Sequence, residues 1–97
     1  MSLTGKQRRY LRGLGHHLSP TVQLGGRGVT PGLVAKIQEE LELHELIKLK
    51  VGQDTLAPKE VAPELAEASG AELVQVLGRT VLLYKAREKE PEIRLPQ

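Results

Sequence analysis

The residues of this chain best suited to chemistry stand together in the run Gln23-Leu24-Gly25-Gly26-Arg27-Gly28-Val29-Thr30-Pro31. Glycines take positive φ and let backbone amides approach a ligand, and Arg27 adds a full positive charge. Thr30 reads as a helix N-cap, with Pro31 at the first helical position. The unpaired first amides of a helix lie at the positive end of its dipole, so this turn offers a place for an anion, and for phosphate in particular. The same glycines also serve a tight strand-to-helix turn for steric reasons alone. Nucleotide chemistry is disfavoured. No Gly-Lys-Ser/Thr follows as in a Walker loop, and the glycine spacing and acidic partner of a dinucleotide fingerprint are missing.

Other candidate side chains lie upstream and downstream of the loop. Lys6, Arg8, Arg9 and Arg12 precede it, and Lys36 follows it on the next helix. Residues 1 to 38 carry six cations and no Asp or Glu, a charge of +6, whereas the remainder carries −4. Such segregation is the electrostatic footprint of a polyanion binder, and it is also a way of staying in solution. His16 and His17 fall in the turn between. Adjacent histidines project in different directions, so a shared metal site is not expected; hydrogen bonding to phosphate or sugar, or to a helix C-terminus, suits them better. No nucleophile, base and orienting acid stand at a recognisable spacing, so catalytic residues, metals and cofactors are not expected.

Composition sets the frame for these residues. The chain has 97 residues, one small domain that buries about 60 to 65% of its unfolded surface. Cysteine is absent, which removes disulfides and thiolate chemistry and makes a reducing compartment, the cytoplasm, the simpler expectation. No apolar run approaches the roughly 18 residues of a membrane span, and the N-terminus lacks the apolar core of a secretory signal. A soluble monomer is expected.

The elements that position the loop follow from patterning. Thr4 and Gln7 form a capping box ahead of a first helix over about Gly5 to Leu14, with Tyr10, Leu11 and Leu14 inward and Arg8, Arg9 and Arg12 outward. Thr21 to Leu24 alternates as a strand that enters the loop. A second helix from Pro31 to His44 buries Leu33, Val34, Ile37 and Leu41. Leu46 to Val51 alternates cleanly, which places Ile47, Leu49 and Val51 on the core side and Lys48 and Lys50 on the other. The strand-helix-strand order makes the first two strands parallel if they share a sheet. A third helix within Pro58 to Ser69 uses Val61, Leu65 and Ala66 and ends at Gly70. Pro63 argues that this helix starts late, near Ala62, or bends. Glu72 to Leu77 and Thr80 to Lys85 pair through Gly78-Arg79, a type II′ hairpin. The order α-β-α-β-α-β-β gives an α+β fold, a four-stranded mixed sheet covered by helices in a single layered domain over residues 1–87. Residues 88–97 form an extended or mobile tail.

Several separated motifs then resemble one family. They are Leu3-Thr4-Gly5-Lys6-Gln7, Leu24-Gly25-Gly26-Arg27-Gly28-Val29-Thr30, His44-Glu45-Leu46-Ile47-Lys48, Val76-Leu77-Gly78-Arg79-Thr80 with Leu83-Tyr84, and Ile93-Arg94-Leu95-Pro96. In this order, over nearly the whole chain, they are similar to the CRM domain (chloroplast RNA splicing and ribosome maturation), in its stand-alone bacterial YhbY form. The resemblance implies a fold like the C-terminal domain of bacterial initiation factor three. It implies RNA as partner, ribosomal RNA of large-subunit precursors, and a role in ribosome assembly. The G-x-x-G loop, Gly25 to Gly28, is the implied RNA contact, helped by the basic residues of the first helix. Expected contacts are thus Lys6, Arg8, Arg9, Arg12, His16, His17, Gly25, Gly26, Arg27, Gly28, Thr30 and Lys36. With Tyr10 and Tyr84 both read as core, a stacking platform is missing and recognition of backbone and shape is expected. The competing expectation is a protein-interaction module whose tail or acidic second helix docks a partner.

Overall fold

The computed structural model describes residues 2–97. Its elements are α1 (Gly5–Gly15), β1 (Val22–Leu24), α2 (Pro31–His44), β2 (Leu46–Val51), α3 (Pro58–Ser69), β3 (Glu72–Leu77) and β4 (Thr80–Tyr84). This is the α+β order that the sequence predicts. The strands form one sheet in the order β1-β2-β4-β3, with β1 parallel to β2 and the other two pairings antiparallel. The parallel pair is joined through α2, the crossover expected of a strand-helix-strand unit. Gly78 has φ 58°, the sign that a type II′ turn demands of its first central residue.

Each face of the sheet has its own core. On one, Ile37 and Leu41 of α2 and Val61 and Leu65 of α3 pack against Val22, Leu49, Val81 and Leu83. On the other, Leu3 and Leu11 meet Leu46, Val74, Leu82 and Tyr84, and Ile93 and Leu95 of the tail pack against them. Strand alternation sends successive side chains to opposite faces, so Lys48 and Lys50 point to the α1 side and Ile47, Leu49 and Val51 to the other.

Strand β3 breaks this alternation. Its pairing with β4 shifts between Leu73 and Gln75, which leaves Val74 as an extra residue. A bulge of this kind reverses the faces of everything beyond it. Val76 therefore packs into the α2/α3 core, and Gln75 and Leu77 share the α1 side with Leu82 and Thr80, their partners across the ladder.

Helix α1 is anchored differently from the sequence expectation. Thr4 and Gln7 do form the reciprocal capping box. The buried stripe, however, is set by Leu11 and Gly15, and Tyr10 and Leu14 are 42% and 38% exposed. The cause is the close approach at Gly15, where a Cβ would lie 2.5 Å from Leu82 Cδ2. Seating the helix on that glycine turns Tyr10 outward and Arg8 inward. The Arg8 guanidinium donates to the carbonyls of Leu73 and Val74, the backbone of the bulge.

Helix α3 starts at Pro58 and runs through Pro63 to Ser69; the late start expected near Ala62 does not occur. Pro63 and Lys59 are both exposed, so the Lys59 carbonyl that proline leaves unpaired lies where water can satisfy it. Helix α2 begins as its sequence dictates: Thr30 Oγ1 accepts from Leu33 N at 3.1 Å and Pro31 is the first helical residue. Thr30→Ala is expected to lower the unfolding free energy by about 1 kcal/mol in urea titration, and an unchanged midpoint would refute that role for the cap.

The tail has no helix or strand, and it is fastened. Glu45, 1% exposed, accepts hydrogen bonds from the backbone N–H groups of Arg87 (2.9 Å), Glu92 (2.7 Å) and Ile93 (2.9 Å). At the far end, Gln7 Nε2 donates to the Pro96 carbonyl and Lys6 Nζ to that of Gln97, each at 3.1 Å. The tail thus runs from the end of β4 past the end of α2 to the start of α1, over the second core.

Candidate nucleic-acid interface

The glycine loop is a β-turn. Gly28 N donates to the Gly25 carbonyl at 3.0 Å, which leaves Gly26 and Arg27 at its tip with Arg27 exposed. Gly28 has φ 72°, a left-handed conformation that suits glycine and strains other residues. The turn is held from behind: Gly52 N donates to the Leu24 carbonyl at 2.8 Å, and Arg79 donates through Nε to Val51 O at 2.8 Å and through Nη2 to Gly52 O. Arg79 is therefore a brace between the β3–β4 turn and the end of β2.

Two local features shape what the loop can bind. Pro31 has no N–H and Leu33 N is taken by Thr30, so Gly32 supplies the unpaired N–H of the first helical turn. The helix start therefore offers an anion fewer free N–H groups than the sequence suggests. In addition, the Asp54 carboxylate lies behind the loop, 2.8 Å from where Gly26 or Gly52 would carry a Cβ. A side chain at Gly26 would collide with it, and its negative charge disfavours an anion on that side of the loop.

Strand register places the remaining candidates. The α1 side of the sheet carries two rows: Lys48, Leu82 and Gln75, with Thr21 just ahead of β1 bonded to the Lys48 carbonyl, then Gln23, Lys50, Thr80 and Leu77 across all four strands. Gly15 rests on Leu82, so α1 ends at the first row and the second lies beyond it, on the way to the loop. Arg12 and His16 border the first row beside Lys48. His17 stands next to His16, their rings edge-to-face with centroids 5.5 Å apart. The structure thus brings Arg12 and His16 together with Lys48, along the approach to Gly25, Gly26, Arg27, Gly28 and Thr30.

Other candidates lie apart. Lys6 is at the opposite end of α1, bonded to the tail. Arg8 is half-buried against β3, which corrects its assignment to the outward basic face. Arg9 is exposed on α1, and Lys36 is exposed on α2, across the sheet from α1. Lys48 and Lys50 were missed as site candidates although their alternation already put them opposite the core. What the sequence does not show is that α1 stops short and leaves that face open.

A family model for the CRS1 / YhbY (CRM) domain matches residues 3–85. The chain belongs to the CRM domain family. This CRM domain is 44% identical over 95 residues to the probable RNA-binding protein YqeI of Bacillus subtilis, covering 97% of this chain and 99% of that one. It is 41% identical over 97 residues to an RNA-binding protein of Haemophilus influenzae, covering 99% and 97%. Among solved structures, a Staphylococcus aureus protein described as a candidate RNA binder superposes with a TM-score of 0.83 at 43% identity, covering 97% of this chain and 99% of its own. Among the described residues of this CRM domain, no helix is long and apolar enough to cross a membrane.

Proposed function

We propose that this CRM domain binds structured RNA by its backbone and acts, as a cytoplasmic monomer, on precursors of the large ribosomal subunit. The observation that carries the reading is the continuity of the basic surface: Arg12, His16, Lys48 and Lys50 lead along one open sheet face to a turn with exposed Arg27 at its tip. Its relatives' names point the same way. Cations at several points along a phosphate chain release counterions, which makes affinity steeply dependent on salt. The assembly role rests on the resemblance to YhbY-type proteins.

A salt titration of binding to large-subunit ribosomal RNA fragments, with wild type and Arg27→Glu, tests the RNA contact. The wild-type log-log slope is expected to be about −3 to −5, and the variant's shallower by about 1. Co-sedimentation of the protein with large-subunit precursors tests the assembly role. The protein-interaction reading keeps the exposed acidic end of α2, but its tail is fastened by Glu45; salt-independent behaviour of both proteins would bring that reading forward.

A further inference from the structure

Between the end of α1 and the open rows of the sheet lies a cavity of about 130 Å³, bordered by Arg12, His16, Lys48, Gln75, Thr80 and the two leucines 77 and 82. We propose that it receives the base of a single unpaired nucleotide, so that the RNA surface reads a flipped-out base as well as backbone. This rests on the RNA-binding reading above and adds a second element of recognition to it.

The walls of the cavity differ in chemistry in a way that suits a nucleotide. Leu77, 62% exposed, provides apolar surface for the face of a base, with the buried Leu82 at the floor. Gln75 presents an amide, a donor and an acceptor side by side, the arrangement that pairs with a base edge. The Thr80 hydroxyl donates to the Leu77 carbonyl at 2.7 Å, so its lone pairs remain for a base N–H. Arg12, His16 and Lys48 stand around it, where the phosphate of an inserted nucleotide would lie, and no carboxylate lines the cavity.

Size decides against larger occupants. Sites that enclose a drug-sized molecule run to roughly 300–1,000 Å³, and this one, at about 130 Å³, admits one flat group from the side. A phosphate alone would use the cations and leave the amide and the apolar floor idle. The bulge at Val74 is what creates the site: with regular alternation Gln75 would point into the α2/α3 core and Val76 would take its place. The RNA contact that the family resemblance implies is the glycine loop, whereas this cavity is built from α1, β2, β3 and β4.

The test uses three RNA stems that differ at one position: fully paired, with a single-nucleotide bulge, and with an abasic bulge. Fluorescence anisotropy at fixed salt gives the affinity of the full-length wild type, Gln75→Leu and Thr80→Val for each. Wild type is expected to bind the bulged stem about tenfold more tightly than the other two, the discrimination typical of a good base-edge contact. Gln75→Leu and Thr80→Val, which keep side-chain volume, are expected to lose that preference and to bind the paired stem as wild type does. Equal wild-type binding to bulged and abasic stems overturns the proposal, as does a preference that survives in both variants. Wild-type failure to bind any stem would overturn the RNA-binding reading and this inference with it, whereas loss of the preference alone leaves the former standing.

Discussion

Replacing Glu45 with alanine is expected to lower the unfolding free energy by about 3 kcal/mol, which for a domain of this size moves the midpoint of thermal unfolding down by roughly 12–24 °C. The carboxylate is 1% exposed and accepts three backbone N–H groups of the tail at 2.7–2.9 Å. Charge-assisted bonds of this length are among the stronger ones in proteins, and truncation leaves three donors with no acceptor. The backbone at Glu45 has φ 63°, a conformation that non-glycine residues adopt at some cost; the tail contacts hold it there. Ile93 and Leu95 would lose their attachment over the second core, so proteolysis of residues 88–97 is expected to accelerate in the variant. A midpoint within 2 °C of wild type, in circular dichroism melts of both proteins, would show that the tail is not held by this residue.

The same carboxylate sets a pH dependence. Burial raises the pKa of Glu45, but the backbone bonds from Arg87, Ile93 and Glu92, with the Arg87 charge, outweigh it and leave the group below its ordinary value of 4.5. A depressed folded-state pKa means that the charged form is favoured in the fold. Its contribution is therefore complete above the unfolded value and is lost as pH falls through the folded one. Wild type is expected to lose stability more steeply than Glu45→Ala on acidification below about pH 4.5, and the two curves should converge. Tyr84, whose pKa is raised by burial and by the Glu45 charge, stays protonated throughout this range.

Reversing Arg9, Arg12 and Arg27 together to glutamate is expected to weaken RNA binding by about 10³-fold at low salt and to make the log-log salt slope shallower by about 2 to 3. All three are exposed, and among the described residues none of their side chains makes a hydrogen bond or ion pair that folding depends on, so the melting midpoint should be nearly unchanged. Arg8 is the contrast. Its guanidinium is tied to the Leu73 and Val74 carbonyls, so Arg8→Ala is expected to destabilise the protein by about 1–2 kcal/mol with RNA affinity kept in the folded fraction. Parallel anisotropy titrations and melts of the two variants separate these roles. If Arg8→Ala weakened binding as much as the triple reversal did while the fold held, the basic residues of α1 would have to be reassigned.

Much of this molecule was legible in the residues because the signals concerned were local. The Thr4/Gln7 capping box, the Thr30-Pro31 helix start, the alternation of Leu46 to Val51 and the Gly78-Arg79 turn each depend on neighbours within a few positions. Together they determined the element order, the parallel β1–β2 pair and the loop between β1 and α2. Local preference also misled where a distant contact was stronger. Tyr10 and Leu14 have helical spacing with Leu11, yet the close seat of Gly15 on Leu82 turned that pair outward and brought Arg8 onto the bulge. Pro63 is a helix breaker by itself, and α3 tolerates it because its exposed side can leave a carbonyl to water.

Sequence alone thus determined which elements form and where the cationic loop stands, since capping, alternation and turn chemistry act over a few residues. Only the tertiary structure decided which cations face one another, that the tail is bound by a buried glutamate, and that a bulge opens Gln75 to solvent. Those outcomes depend on contacts between residues up to 91 positions apart, such as Lys6 with Gln97, and on the register of β3 against β4, which no local pattern encodes.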